Sequence, residues 1–149
     1  MGLRQVVRFE GQAAMELEFA LDGVQTEEAY PLRIHVPSSS EIVVDYEPMI
    51  RGILGDMSAG ISLGMISAKF HNALVEAIVA VAHRVGEERV VLTGGCFQNK
   101  YLTERAVSRL QREGFRPYWH QRVPPNDGGI ALGQVVAAVR ERRSNAICA

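Results

Sequence analysis

Cysteine is almost missing from this chain. Cys96 and Cys148 lie far apart and lack metal-ligand spacing, so neither a zinc site nor a disulfide scaffold is expected, and a reducing, cytoplasmic setting follows. An excess of positive charge is missing too: 16 Lys and Arg stand against 17 Asp and Glu, for a net charge of −1. That balance excludes a broad electrostatic footprint on nucleic acid. No apolar run approaches the roughly 20 residues needed to cross a bilayer, and the N-terminus lacks a charged-then-apolar signal pattern, so a soluble protein is expected. Internal repeats and low-complexity segments are absent as well. With 149 residues, one domain with a real core is the default reading.

What is present centres on Arg89 to Asn99, RVVLTGGCFQN, where an apolar run stops at two glycines and a polar helix start takes over. A strand ending in Gly94-Gly95, with a helix opening near Asn99, presents bare backbone N–H groups beside the positive end of a helix dipole. That arrangement favours an anion, typically a phosphate. The pattern returns at Pro124 to Gly133, PPNDGGIALG. Two readings stand for Gly94-Gly95, a phosphate turn or a tight strand exit. Asp127 reads as a cap of the final helix, a role compatible with binding a metal.

Taken in order, Met1 to Glu10 reads like a cut edge. Gly11 to Leu21 places Ala14, Leu17 and Leu21 on one helical face, with Glu16 on the other, and Asp22-Gly23 ends the helix. Leu32, Ile34 and Val36 alternate with Arg33 and His35, Ser38 to Ser40 turn, and Ile42 to Val44 return: a hairpin. Pro48 to Leu54 forms a short helix that Gly55 stops. Ser62 to Val85 is the core helix, closed by Gly86. Val90-Val91-Leu92 suits a strand covered on both faces. Asn99 to Glu113 is a helix capped by Gly114, Phe115 to Trp119 a strand, and Gly128 to Arg142 a final helix, after which Ser144 to Ala149 fray.

The order is that of an α/β domain with a mixed sheet. A right-handed strand-helix-strand crossover puts the Gly94-Gly95 and Asn126-Asp127 turns on the same sheet edge, sharing a crevice. Cys96 reads as a small residue packed behind a turn with no covalent role. His71 reads as a satisfied packing histidine, and Tyr118 and Trp119 as cover for a sheet edge or an interface.

Four segments in order, FEGQAAMELE, AKFHNAL, TGGCFQNKYL and RVPPNDGGIALGQ, resemble the C-terminal end of the HypF-type carbamoyltransferases of nickel-iron hydrogenase maturation, and the likeness covers nearly the whole chain. It implies one lobe of the two-lobed, ribonuclease H-like fold shared with actin, sugar kinases and Hsp70. It also implies an enzyme that forms a carbamoyl-adenylate from carbamoyl phosphate and ATP, then passes the carbamoyl group to the C-terminal cysteine of a HypE-like acceptor. By matching motifs, Gly94, Gly95 and Asn99 would lie at the nucleotide phosphates and Gly11 and Glu16 near the ribose. Asp127 would bind a divalent metal, magnesium or iron, together with two histidines of the first lobe.

The chain departs from that family by lacking the acylphosphatase-like, zinc-finger and carbamoyl-adenylating domains and the first lobe. It has no Cys-x-x-Cys pair for zinc and no His-x-x-x-His pair for the metal. It is therefore read as a fragment, inactive alone, with no nucleic-acid or membrane partner. Apolar patches where the first lobe would sit, and self-association through them, are expected. The alternative is a non-catalytic nucleotide-binding or interaction module of the same fold.

Overall fold

The computed structural model describes residues 2–21, 23–36 and 41–147, the side chains of 142–147 excepted. The expected ending of the first helix at Asp22, the Ser38 to Ser40 turn and Cys148 lie outside the described residues. Among the described residues five helices and four strands follow one another: α1 Gln12–Phe19, β1 Arg33–His35, β2 Val43–Asp45, α2 Glu47–Ser58, α3 Leu63–Val85, β3 Arg89–Leu92, α4 Lys100–Arg112, β4 Arg116–Trp119 and α5 Ile130–Ile147. Short 3-10 turns at Gly95–Gln98 and Asp127–Gly129 precede α4 and α5.

The sequence marks both ends of α3. The Ser62 side chain accepts from the Met65 N–H at 3.3 Å, and Gly86, at φ 77°, takes the left-handed conformation that ends a helix. Over 23 residues α3 is long and apolar enough to cross a membrane by length and composition. It is nevertheless a core helix. Val75 and Val79 pack with Leu92 of β3 and with Leu102, Ala106 and Leu110 of α4. Nearer its start, Ile66 and Ala73 pack with Tyr30 and Met49. Burying each such Leu or Ile stabilises by about 1.5–3 kcal/mol, which is why the apolar spacing of α3 fixes its place.

Four expectations about these elements need correction. The strands do not form one mixed sheet: β1 pairs antiparallel with β2, Ile34 opposite Val44, and β3 pairs parallel with β4 in a separate sheet. The three-residue strands of the hairpin satisfy each other, and the Arg84 guanidinium holds the Ile34 carbonyl to α3 at 3.2 Å. As a result β3 is covered on one face only, with Leu92 buried and Val91 exposed. The second helix runs through Gly55 to Ser58, because Asp56 is held by Lys69 at 2.8 Å and by the Tyr30 hydroxyl at 2.7 Å. That fixation outweighs the roughly 1 kcal/mol cost of an interior glycine. The first helix ends at Phe19, and Ala14 is exposed while Gln12 is buried.

The final helix starts at Ile130 and continues to Ile147, past the point where fraying was expected. From Ile130 to Glu141 every residue is exposed, and Ile130, Leu132, Val135, Val136 and Val139 form an apolar surface that no described residue covers.

Candidate functional site

The site lies where the parallel strands β3 and β4 end. The last pair, Leu92 and Trp119, is followed by a hydrogen bond of 2.9 Å between the Thr93 hydroxyl and the His120 ring. The chain then reverses at Gly94, whose φ of 105° favours glycine. The Gly94 N–H donates to the Pro125 carbonyl at 2.9 Å, so the two glycine-bearing turns do meet, as expected from the sequence. Within the second turn it is Asn126, and not Asp127, that caps: its side chain accepts from the Gly128 N–H at 3.1 Å. The expected capping role of Asp127 is therefore corrected. Its exposed carboxylate makes no hydrogen bond or ion pair with a described residue.

The start of α4 also differs from expectation, because its N–H groups are not bare. Glu18, reaching across from α1, accepts from Lys100 N–H at 2.7 Å and from Tyr101 N–H at 3.2 Å. Asn99 accepts from Leu102 N–H through its side chain at 2.8 Å and from Thr103 N–H through its carbonyl at 3.1 Å. The orphan donors of the helix are thus all satisfied by the protein itself, and a carboxylate already sits at the positive end of the dipole. Among the described residues, no acceptor takes the N–H groups of Gly95 and Cys96, at the start of the 3-10 turn. These are the donors left for an anion. Cys96 is exposed, not packed behind the turn.

Behind Asn99 runs a buried polar seam. The Ser67 hydroxyl donates to the Leu17 carbonyl. The ring of His71, only 3 % exposed, lies 2.8 Å from the Ser67 carbonyl through Nδ1 and 2.9 Å from the Asn99 side-chain nitrogen through Nε2. Burial lowers the His71 pKa and keeps the ring neutral. Asn72 donates to the carbonyls of Thr26 and Glu28 and accepts from the Tyr101 hydroxyl. His71 is thus a satisfied buried histidine, as read from the sequence.

Gly11 and Glu16 stand apart from these turns. Gly11, at φ 79°, precedes α1 and accepts from Met15 N–H. Glu16 is held by both nitrogens of an Arg4 fork and by Gln12, and the Arg4 hydrogen bonds hold its carboxyl below the ordinary range. Among the described residues no hydrogen bond or ion pair joins either one to Gly94, Gly95, Asn99 or Asp127; the link from α1 runs through Glu18. Glu18, Ser67, Asn72, Tyr101 and Asn126 were not read from the sequence as site residues. The four-residue spacing of Ser67 and His71 on α3, with Asn72 next to the histidine, was the signal available for this seam.

The donors present suit a phosphate better than a metal. Among the described residues no three His, Cys, Asp or Glu side chains gather to hold an ion, so a divalent cation does not fit on these residues alone.

The family described as carbamoyltransferase, Kae1-like domain, second subdomain, matches residues 1–134. The carbamoyltransferase HypF of Synechocystis sp. is 41% identical over 143 residues, 96% of this chain and 18% of that protein. The carbamoyltransferase HypF2 of Cupriavidus necator is 31% identical over 164 residues, 94% of this chain and 20% of that protein. A crystal structure of full-length HypF in the phosphate- and nucleotide-bound form superposes with a TM-score of 0.84 at 43% identity, covering 92% of this chain and 18% of that one. That of T. kodakarensis HypF, at 22% identity and a TM-score of 0.72, shares the fold. This chain spans 18% and 20% of the lengths of the two curated relatives. It belongs to the HypF carbamoyltransferase family, in the region of the second subdomain of the Kae1-like domain.

Proposed function

We propose that this chain supplies one wall of a nucleotide-dependent carbamoyl-transfer site. In this reading it is one lobe of a ribonuclease H-like, actin-type pair, and ATP or carbamoyl-adenylate lies between it and a first lobe outside this chain. The phosphates rest on the N–H groups of Gly95 and Cys96 beside Gly94, with Asn99 within the same turn. Gly11 and Glu16 serve the ribose, where Glu16 exchanges Arg4 for a sugar hydroxyl. Asp127 gives one carboxylate to a divalent cation whose other ligands lie elsewhere. The whole protein, working in the cytoplasm, forms carbamoyl-adenylate from carbamoyl phosphate and ATP: hydrolysis of carbamoyl phosphate releases phosphate, and bonding of the resulting carbamate to the α-phosphorus of ATP releases pyrophosphate. It then transfers the carbamoyl group to the C-terminal cysteine thiol of a HypE-like protein, releasing AMP.

One observation carries this reading: the hydrogen bond from Gly94 to Pro125, which joins two glycine-bearing turns at the ends of parallel strands, the usual place for a ligand in such sheets. Calorimetry with ATP and magnesium tests it. A nucleotide held from one side should bind with a dissociation constant of about 1 mM or weaker, since contacts from the other wall are missing. Gly95→Val is a clean probe, because an added Cβ comes no closer than 4.0 Å to Asn126 and the φ is ordinary. Lost binding supports the phosphate role, and unchanged binding sinks it. Carbamoyl-phosphate-dependent ATP turnover by this chain alone would contradict the one-wall reading.

A further inference from the structure

We propose that His71 is a positioning residue for Asn99: its ring dictates which end of the Asn99 amide caps α4 and which end is left to donate to a ligand. The ligand half of this inference rests on the reading of Asn99 as a nucleotide contact; the positioning half stands on geometry alone.

A backbone carbonyl can only accept, so the 2.8 Å contact between Nδ1 and the Ser67 carbonyl places the ring hydrogen on Nδ1. Nε2 then carries a lone pair, and the Asn99 atom 2.9 Å away must be the amide nitrogen. This leaves Oδ1 for the Leu102 N–H at 2.8 Å. Flipping the amide would set its oxygen against the Nε2 lone pair and its hydrogens against the Leu102 N–H, two repulsive contacts in place of two bonds. One hydrogen of the Asn99 NH2 goes to His71, and the second is left for a ligand oxygen. The orientation of this one side chain is thus read off a ring on another helix.

The arrangement holds only while the ring is neutral. A protonated His71 carries hydrogen on Nε2, facing the NH2 of Asn99, and the amide must turn and abandon Leu102. The groups facing the ring are the Glu18 carboxylate from α1, the Tyr101 ring of α4, edge-on at 5.7 Å, and Phe70 on its own helix, at 5.3 Å. Burial opposes the charged ring more strongly than the Ser67 carbonyl and Glu18 favour it. Acid is therefore needed to break the link.

Two readouts on the intact chain separate the link from the ligand reading. In the wild type, amide exchange at Leu102 should accelerate as the pH is lowered from 8 through the titration of His71, beyond the intrinsic pH trend. The same titration should appear in the ring 15N shifts. In His71→Gln, whose side-chain oxygen accepts from Asn99 without titrating, Leu102 should stay protected throughout. His71→Leu should lose that protection at every pH. Magnesium-ATP binding should weaken about fivefold in the wild type over the same range, the loss of one hydrogen bond, and stay level in His71→Gln. A Leu102 amide indifferent to pH and to both variants overturns the link and leaves the reading of Asn99 intact. Unchanged ATP affinity in Asn99→Ala, with Leu102 responding as described, overturns the ligand half instead.

Discussion

Replacing Glu18 by alanine removes the carboxylate that caps the start of α4 and uncovers two N–H groups at once, those of Lys100 and Tyr101. The Lys100 contact is exposed, whereas the Tyr101 contact is partly buried. A helix-terminal carboxylate is worth about 0.3–1 kcal/mol when exposed and up to about 2 when partly buried, and loss of a cap costs about 0.5–2. The expected loss is therefore about 1–2 kcal/mol, or a fall in Tm of about 3–6 °C for a domain of this size. Glu18→Gln keeps an oxygen acceptor and loses only the charge, so it should fall by less than half as much. The uncovered N–H groups make a second outcome specific to this geometry. Sulfate should stabilise Glu18→Ala more than the wild type, by about 1.4 kcal/mol at ten times its Kd, while chloride at equal ionic strength should not. Differential scanning fluorimetry of the three proteins across a sulfate series measures both effects. Equal Tm values, or equal sulfate responses, would refute the account of Glu18 as an internal anion.

Gly94→Ala forces a side chain into a left-handed backbone at φ 105°, and should cost about 1–3 kcal/mol, read as a lowered urea midpoint; Gly95→Ala, with room for its Cβ, should leave the midpoint unchanged. Leu110→Ala empties a fully buried position between α4, α3 and β4 and should cost about 2–5 kcal/mol in the same assay. Arg109 forks onto Glu76 at 2.7 and 2.9 Å and reaches Glu113 at 2.8 Å, and these bonds hold both carboxyls below their usual range. Carboxylates lowered in the fold stabilise it above their unfolded pKa, about 4.3, and lose that contribution as the pH falls through the folded value. Arg109→Met should therefore lower the Tm at pH 7, modestly because the pairs are screened by solvent, and its deficit should shrink below about pH 4 in a pH series of melts.

Local chemistry was legible in the sequence. Ser62 and Gly86 bracket α3, α4 opens at Asn99, and the two glycine turns meet where consecutive parallel strands must end. Each of these depends on neighbours a few residues away or on the handedness of one crossover. What was not legible depends on contacts distant in the chain. Nothing local marks Glu18, rather than Glu16, as the residue that reaches α4, since both lie on the same short helix and differ only in which way each points. The carry-through of α2 past Gly55 was hidden for the same reason, because Asp56 is fixed by Tyr30 and Lys69 from other segments. The division into two sheets was hidden too: apolar runs announce strands, but pairing partners are chosen by packing. Val91 read as doubly covered because its neighbours are apolar, and the face that would cover it is open among the described residues.

The two apolar clusters have no helix in common except α3, whose first half belongs to one and whose second half to the other. The two clusters are therefore coupled through α3, and through the hydrogen bonds that His71 and Asn72 make to Asn99 and Tyr101. Opening α2 away from Tyr30, by breaking Asp56 from Lys69, should expose the first cluster to exchange while α4, β3 and β4 remain closed. The turns at Gly94 and Pro125 adjoin the larger cluster, so they should outlast the hairpin and α2 in partial unfolding. Protection from hydrogen exchange should therefore rise along α3 from its Ser62 end toward the middle, and remain high on the strands that carry the site.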